Sequence, residues 1–342
     1  MLRTLSSIAL ASLASLTAFA GTRDIAVDPA KFSARIPIRN FSYQMSYLPL
    51  DAAYAINNAG VICGKAGGNA AVYTQGALQV LKGKAGYSNL QAIDISNNGY
   101  VVGTGVNNGA VRPLFWQSLQ ADPMDTGALG RYTTPTAINS QGTVVGYYQA
   151  TDSDLPQAYR WAPNSGMQVI TPSGASTAQA FDISETGFIA GHAQYPGIGQ
   201  QVVRWNLDGS PSRINAVGHA DRALDDGRVF GLASGIGAAI WNLQNAVAGF
   251  GPKPATHVVT QRSSSNRLVG YTLGEPFGPA PWTTINGSTA LYLPIPVGAI
   301  GFARDVNACG TIIGSVRLAD GTEHAVMWTR IVCDLLPIFT AQ

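Results

Sequence analysis

The stretch Ala303-Arg-Asp-Val-Asn-Ala-Cys-Gly-Thr-Ile-Ile-Gly314 decides the fold, because it is the clearest copy of a pattern that returns along the whole chain. In each copy, a β-branched segment leads to a polar turn with glycine, and a second β-branched segment ends at a closing glycine. The closing glycines lie at positions 64, 103, 146, 191, 231, 270 and 314, so successive copies are 39 to 45 residues apart. A period of this length predicts an array of repeated supersecondary units.

A large aromatic residue follows each closing glycine by 9 to 15 residues. These residues are Tyr73, Trp116, Trp161, Trp205, Trp241, Trp282 and Trp328. The chain contains six tryptophans, and by sequence spacing every one fills this position. One bulky aromatic at one position of each copy predicts a plug packed between neighbouring units.

Each copy can be divided into four short strands. The second strand ends at the closing glycine, a loop of variable length leads to the third strand with the aromatic residue, and a tight turn precedes a fourth strand such as 168–170 or 290–293. Four strands in about 40 to 45 residues is the size of a propeller blade. The sequence therefore predicts an all-β fold, a seven-bladed β-propeller of four-stranded antiparallel blades; an eight-bladed closure and a stack of sheets are the alternatives.

The pattern A-x-x-I-N-x-x-G-x-V-V-G, followed by H-A-x-x-W, resembles the bacterial extracellular repeat named HAF. The resemblance is clearest from Ala303 to Gly314, with His324-Ala-Val-Met-Trp328 after it. It covers nearly all of the chain after residue 43, departs from the pattern in copies five and six, and has histidine in the H-A position only once. The resemblance implies secretion and a β-propeller-like architecture. That family has no general activity, so no site is inherited from it.

The first twenty residues have the pattern of a signal peptide. Arg3 is followed by an apolar run to Phe19, and Ala18-Phe-Ala20 provides the small residues that signal peptidase recognises. We expect cleavage before Gly21 and a secreted protein, periplasmic or extracellular. Residues 21–42 then form an N-terminal segment, and residues 43–342 form a single propeller domain. No later stretch is long and apolar enough to span a bilayer.

Composition excludes some partners. Apolar residues make up 46% of the chain, which is enough to bury a core, and the net charge is +2 without a basic run. Nucleic acid is therefore a poor partner, because phosphate binding needs clustered Lys and Arg. The loop from Gly60 to Lys65 is one residue shorter than a phosphate-binding loop and is followed by Ala66 where Ser or Thr is required. We expect no cofactor, no metal and a monomer.

Three cysteines are present. Cys63 lies one residue before a closing glycine, a position that is apolar in the other copies, and is expected to be a buried free thiol. Cys309 and Cys333 lie in turns that a four-stranded meander places at the same end, so they are predicted to form a disulfide after export. The segments 45–50 and 334–338 both resemble fourth strands, and one of them is predicted to seal the ring.

Three carboxylates recur five residues before the turn glycine: Asp94, Asp182 and Asp305. Small residues two positions earlier, such as Ala92, are expected on the same face of the strand. A row of Ala and Asp suits the innermost strand of a propeller, facing its channel. Two interpretations follow: a ring of carboxylates that holds a cation or polar ligand, or carboxylates that cap backbone amides.

Loop lengths point to one end of the molecule. The loops between second and third strands and the connections between copies vary in length, and both are predicted at the same end, here called the variable-loop face. Aromatic and charged residues there make a candidate ligand site: Tyr132, Tyr147, Tyr148, His192, Phe302 and Arg304.

The leading hypothesis for function is a non-enzymatic secreted propeller that binds a glycan, a peptide or an envelope component through this face. A carbohydrate-active hydrolase or lyase is the first alternative, with Asp182 and Asp305 as its carboxylates and His192 or Arg304 nearby. A structural or matrix protein is the second alternative.

Overall fold

The computed structural model describes residues 41–249, 257–262, 267–272, 279–285 and 289–332. Regular structure in these residues consists of β-strands. Among them, no helix is long and apolar enough to cross a membrane. The signal peptide, the segment 21–40, Cys333 and the segment 334–338 lie outside the described residues, so the Cys309–Cys333 disulfide remains a prediction.

The first strand is β1 (Phe41–Tyr47), and the others group into repeat units numbered in chain order. Unit 1 holds β2 (Ala52–Ile56), β3 (Ile62–Ala66), β4 (Asn69–Thr74) and β5 (Ala77–Val80). Unit 2 holds β6 (Ser88–Ile95), β7 (Val101–Asn107), β8 (Ala110–Trp116) and β9 (Met124–Asp125). Unit 3 holds β10 (Tyr132–Ile138), β11 (Val144–Gln149), β12 (Gln157–Ala162) and β13 (Gly166–Val169).

The later units repeat the same order. Unit 4 holds β14 (Thr177–Ile183), β15 (Ile189–Tyr195), β16 (Gly199–Trp205) and β17 (Pro211–Ile214). Unit 5 holds β18 (Gly218–Ala223), β19 (Val229–Ala233), β20 (Gly237–Trp241) and β21 (Val247–Gly249). Unit 6 holds β22 (His257–Arg262), β23 (Leu268–Thr272), β24 (Pro281–Ile285) and β25 (Thr289–Tyr292). Unit 7 holds β26 (Ile300–Val306), β27 (Ile312–Arg317) and β28 (Glu323–Val332).

Within each unit the strands pair antiparallel with their neighbours in sequence order. Five sheets formed by the described residues have four strands. A sixth has eight strands, because units 2 and 3 are joined where Tyr132 of β10 lies parallel to Val111 of β8. The described residues are therefore all-β, and most of their sheets are four-stranded and antiparallel.

The N-terminal strand completes the last sheet. Strand β1 pairs antiparallel with β28, from Phe41 opposite Val332 to Tyr47 opposite Val326. It takes the place that a fourth strand takes in the other units. The predicted strand at 45–50 was wrong in its limits, because β1 extends from Phe41 to Tyr47, with one further hydrogen bond from the Leu48 N–H to the Ala325 carbonyl oxygen at 2.9 Å.

A β-bulge interrupts the first strand of every unit beside the residue that pairs with the closing glycine. In unit 3, for example, Pro135 lies opposite Gly146 while Ala137 lies opposite Val145, so Thr136 is extra. A Cβ atom on Gly146 would overlap the backbone carbonyl oxygen of Thr134. The closing glycine is thus a steric requirement of the bulge, because the inner strand bends onto its partner there.

The apolar core lies between units. Buried residues of units 1 and 2 form one cluster that includes Cys63 and Trp116. Similar clusters join the later neighbours, and one cluster joins unit 7 to unit 1 through Ile313 and Ile62. The indole nitrogens of Trp116 and Trp205 donate to carbonyl oxygens of the preceding unit, at 2.9 Å and 2.7 Å. Packing of sheet against sheet explains one plug per unit.

The sixth unit departs from the predicted aromatic pattern. In the neighbouring units the tryptophan pairs with the first residue of the second strand, as Trp241 does with Val229. Trp282 instead pairs with the closing glycine Gly270, two positions further along. It is still fully buried, between units 5 and 6. The prediction that all six tryptophans share one structural position is therefore wrong for this one.

Candidate functional site

The inner strands bring the three predicted carboxylates around one cavity. Asp94, Asp182 and Asp305 line a space of about 170 Å³ together with Arg222. All four residues directly follow the bulge of their own first strand. We call this space the axial cavity. Arg222 thus occupies in unit 5 the position that aspartate occupies in units 2, 4 and 7.

Each aspartate caps backbone amides of two units. The carboxylate of Asp94 accepts from the Ile95 N–H of its own strand and from the Ile138 N–H of unit 3, both at 2.8 Å. Asp305 accepts in the same way from Val306 and from Ile56 of unit 1, both at 2.8 Å. The amides of units 1 and 3 therefore already have an acceptor from an adjacent aspartate-bearing unit, and these two units carry alanine at the same position.

Arg222 links two of these carboxylates. Its guanidinium lies 2.7 Å from Asp182 Oδ1 and 3.4 Å from Asp305 Oδ1. Asp182 also accepts from the Ala223 N–H at 2.8 Å. The Arg222 side chain of unit 5 therefore forms ion pairs with units 4 and 7.

The bulge also changes which side chains share a face. Ala92 lies opposite Gly103 and Asp94 lies opposite Val102, which are successive residues of β7. Successive residues of a strand point to opposite faces, so Ala92 and Asp94 do not share one. The expectation that they do was wrong, because the extra residue Ile93 reverses the alternation.

Burial is the largest single influence on the pKa of Asp94, Asp182 and Arg222. It raises the pKa of Asp94 to about 7, against the lowering effects of the Ile138 amide and of Arg222. It also raises the pKa of Asp182, where Arg222 acts in the opposite direction. The Arg222 pKa is raised as well, because its carboxylate partners outweigh the effect of burial. With amide and guanidinium partners on their oxygens, the carboxylates have the arrangement of structural caps.

Turns at one end of the molecule are tied together between units. We call this end the first-turn face; it holds the turns between first and second strands. The Asn57 side chain donates to the Ser96 carbonyl oxygen at 3.0 Å, and the Ser140 N–H donates to Glu185 at 2.8 Å. The Ala308 N–H of unit 7 donates to the Asn58 side chain of unit 1 at 2.9 Å. A larger cavity of about 350 Å³ opens here between units 4 and 5, lined by Glu185, Asp225 and Arg228 among others.

The predicted ligand residues fall on three units. Tyr132, Tyr147 and Tyr148 lie in unit 3, where Tyr148 packs partly into the core between units 2 and 3. The Arg131 guanidinium lies 5.5 Å from the Tyr132 ring centre and pairs with Asp152 at 2.7 Å. The hydrogen bond to Asp152 raises the pKa of Tyr132.

His192 lies on β15 of unit 4 in an aromatic cluster at the inner strands. Its ring centre is 5.2 Å from that of Phe181, and Phe181 is 6.3 Å from His219 of unit 5. Burial, followed by the effect of His219, lowers the pKa of His192 to about 4. A hydrogen bond to Asp221 raises the pKa of His219.

Phe302 and Arg304 lie on the inner strand β26 of unit 7. The Phe302 ring makes an edge contact with Tyr271 of unit 6 at 4.9 Å. Arg304 is exposed and is the bulge residue of its strand. Its charge acts to lower the pKa of Tyr54 in unit 1, which burial raises. Tyr54 and Arg304 therefore lie near one another on adjacent inner strands.

Sequence reasoning missed an apolar feature of the variable-loop face. The loops between second and third strands in units 4 and 5 have the same tip, Gly197-Ile198-Gly199 and Gly235-Ile236-Gly237. All four glycines adopt positive φ, a conformation that favours glycine. The repeated Gly-Ile-Gly motif is visible in the sequence and was the available signal.

Val217 lies in the connection between units 4 and 5, directly before β18. Its carbonyl oxygen accepts from the Ser234 N–H of the unit 5 tip at 2.8 Å, and the next carbonyl oxygen, of Gly218, accepts from the Gln200 side chain of unit 4 at 3.0 Å. Ile198, Val217 and Ile236 are 51%, 55% and 47% exposed. We call these three residues the tip patch. Equivalent loops of units 2 and 7 carry Asn108 and Asp320 instead.

Among the residues that the structure describes, no group of three His, Cys, Asp or Glu side chains is placed to hold a metal ion. Cys63 is fully buried, and burial raises its pKa well above the usual value. Cys309 is exposed, in the first turn of unit 7.

Comparison with known proteins bears on the fold. No family model matches the sequence, and no curated protein matches it. TolB from Acinetobacter baumannii is 15% identical with a TM-score of 0.43, over 68% of this chain and 64% of that chain, so this chain spans less than two thirds of TolB. YCF48 bound to D1 peptide is 12% identical with a TM-score of 0.47, over 85% and 97%.

A third solved structure is more similar by TM-score. The β-propeller domain of the Trilobed protease from Pyrococcus furiosus, described as having an open velcro topology, is 10% identical, with a TM-score of 0.55 over 85% of this chain and 99% of that chain. At such identity the likeness concerns the fold and no activity. Together with its four-stranded antiparallel sheets, this likeness shows that the chain has a β-propeller fold.

Proposed function

We propose that the chain closes into a seven-bladed propeller, with unit 7 beside unit 1 and β1 as the outer strand of the last blade. The apolar clusters between successive units support this, and so does the hydrogen bond from the Ile56 N–H to Asp305. Secretion after cleavage before Gly21, and kinship with the HAF repeat, belong to the same proposal and rest on the sequence patterns.

We propose further that this propeller is a non-enzymatic binding protein that contacts a partner protein through the tip patch of its variable-loop face. The observation that carries the proposal is the pair of adjacent Gly-Ile-Gly tips, each of which presents an aliphatic side chain to solvent. A hairpin tip with two glycines does not need isoleucine for its conformation. Clustered exposed apolar side chains are typical of interaction sites.

The chemistry of the patch favours a protein over a glycan. Sugar hydroxyls that lose water need hydrogen-bond partners, and the side chains of Ile198, Val217 and Ile236 offer none. An apolar groove on another protein would bury these side chains without that cost. The aromatic cluster around Phe181 and His219 lies on the inner strands of the same two units and extends the surface toward the axis.

The proposal is tested by substituting both tips with the residue found in unit 2, Ile198→Asn together with Ile236→Asn. Peptides selected from a displayed library on the intact protein are the probe, and their Kd for each variant is measured. We expect at least a tenfold weaker Kd, because burial of two aliphatic side chains contributes more than about 1.4 kcal/mol.

The matched control is Leu207→Asn together with Leu243→Asn. These two leucines are 58% and 47% exposed and belong to the same units, at the turns between third and fourth strands on the opposite end. The control is expected to leave Kd unchanged. Equal losses in both double variants, or selected peptides that ignore the tips while a glycan array gives specific binding, would reject the tip patch as the protein-binding site.

A further inference from the structure

Asp94 differs in its surroundings from a surface carboxylate. It lies deep among protein atoms, yet part of its side chain is open to the axial cavity. Its two oxygens each accept one backbone N–H, that of Ile95 in unit 2 and that of Ile138 in unit 3. Any change in the charge of this carboxyl group therefore changes the strength of hydrogen bonds at the junction between units 2 and 3.

Charged and titratable groups face Asp94 from several units. Asp182 of unit 4 and Asp305 of unit 7 disfavour its negative charge, whereas Arg222 of unit 5 favours it. Cys63 of unit 1 also senses the Asp94 charge and, because it is buried, stays a neutral thiol. Glu185 of unit 4 lies on the wall of the same cavity.

We propose that Asp94 is a proton-operated joint between units 2 and 3, whose carboxyl group binds and releases one proton through the axial cavity. The charged form makes two charge-assisted hydrogen bonds to amides but leaves a poorly solvated negative charge. The neutral form makes weaker hydrogen bonds and removes that charge. The joint thus has two states that differ in the strength of its contacts across the junction.

The direction of the pH effect follows from the two pKa values of the group. In the folded chain burial raises the pKa of Asp94 to about 7, whereas an unfolded aspartate has a pKa of about 3.9. Between these values the folded state holds a proton that the unfolded state has released. The stability that this bound proton contributes is therefore fully present below about pH 4 and is lost as the pH rises toward 7. Asp182, whose pKa is also raised, contributes in the same direction.

The test follows the amide resonances of Ile95 and Ile138 by NMR between pH 4 and 9 in the intact protein. Both are expected to titrate together, as one proton, with a midpoint near 7. A midpoint near 4, or two amides that titrate independently, would overturn the proposal. Because this measurement needs no substitution, it decides the question even if every Asp94 variant fails to fold.

A second measurement compares unfolding constants across pH for the wild type, Asp94→Asn and Asp320→Asn. One proton changes the unfolding constant about tenfold per pH unit between pH 5 and 6.5. Asp94→Asn is expected to remove that tenfold dependence and leave the part due to Asp182. Asp320 is exposed, and the hydrogen bonds that it accepts from Thr322 lower its pKa, so the Asp320→Asn variant should keep the wild-type dependence. If Asp94→Asn had the same pH dependence of the unfolding constant as the wild type, the proposed role of Asp94 would be rejected.

Discussion

At the closing glycines, a carbonyl oxygen of the inner strand occupies the volume that a side chain would need. The same overlap would arise at six of these positions: Gly64, Gly103, Gly146, Gly191, Gly231 and Gly314. The obstacle is backbone, which cannot rotate away as a flexible side chain can. The β-bulge therefore requires glycine at the facing position, and the closing glycine in the sequence marks where the bulge lies.

Gly146→Ala is expected to lower the free energy of unfolding by about 3 kcal/mol, because the added methyl group must displace the Thr134 carbonyl. Denaturant titration of the purified protein measures the loss. Gly83→Ala is the control, since nothing lies within 4 Å of a Cβ built there. Similar losses for the two variants would mean that the glycine serves flexibility and not the bulge.

At the same scale, Arg222 leaves buried charge behind when it is removed. Arg222→Gln is expected to lower the free energy of unfolding by about 3 kcal/mol at pH 8, since Asp182 then lacks its cation in a buried site. The loss should be smaller at pH 5, where the raised pKa of Asp182 lets a proton replace the arginine. Denaturation curves at both pH values check this. Arg131→Gln, which breaks the exposed pair with Asp152, should change stability by less than about 1 kcal/mol at either pH.

At the scale of the element, each sheet depends on its neighbour for a buried face. Trp205→Ala is expected to lower the free energy of unfolding by about 4 kcal/mol, because a fully buried ring is lost between units 3 and 4 along with its hydrogen bond to Ile170. Thermal and denaturant unfolding measure the change. Tyr73→Ala serves as comparison, since that ring is only partly buried and its loss should cost less. A Trp205→Ala variant as stable as Tyr73→Ala would exclude the role of inter-unit plug.

The strands of each unit were predictable, whereas local irregularities were not. The repeat period and the runs of β-branched residues indicate where strands such as β11 and β27 lie, because both signals come from residues that are close together in the sequence. The bulge at Thr136 or Ile93 leaves no mark in an alternating pattern, since an extra residue of any type can be inserted there. The position of Trp282 opposite Gly270 also escaped, because spacing from a glycine does not reveal cross-strand register.

At the scale of the whole molecule, the arrangement of the units decides what a residue contacts. Repeat alignment placed Asp94, Asp182 and Asp305 at one structural position, but Arg222 was not recognised as their fourth partner because its charge is opposite. Pairing of Arg222 with Asp305 depends on units that are two apart along the chain. The prominence of Ile198 and Ile236 likewise depends on which loop tips adjoin, so it is apparent only in three dimensions.

The placement of β1 beside β28 also has a consequence for the order of events during synthesis. The first described strand cannot find its partner until Glu323 to Val332 has left the ribosome. Until then the last sheet lacks its outer strand, because β1 and β28 are separated by nearly the whole described chain. Such non-local pairing slows folding and keeps strand edges open to other chains. Pairing of β1 is thus tied to the arrival of β28, and a nascent chain that stops before Glu323 lacks the partner strand of β1.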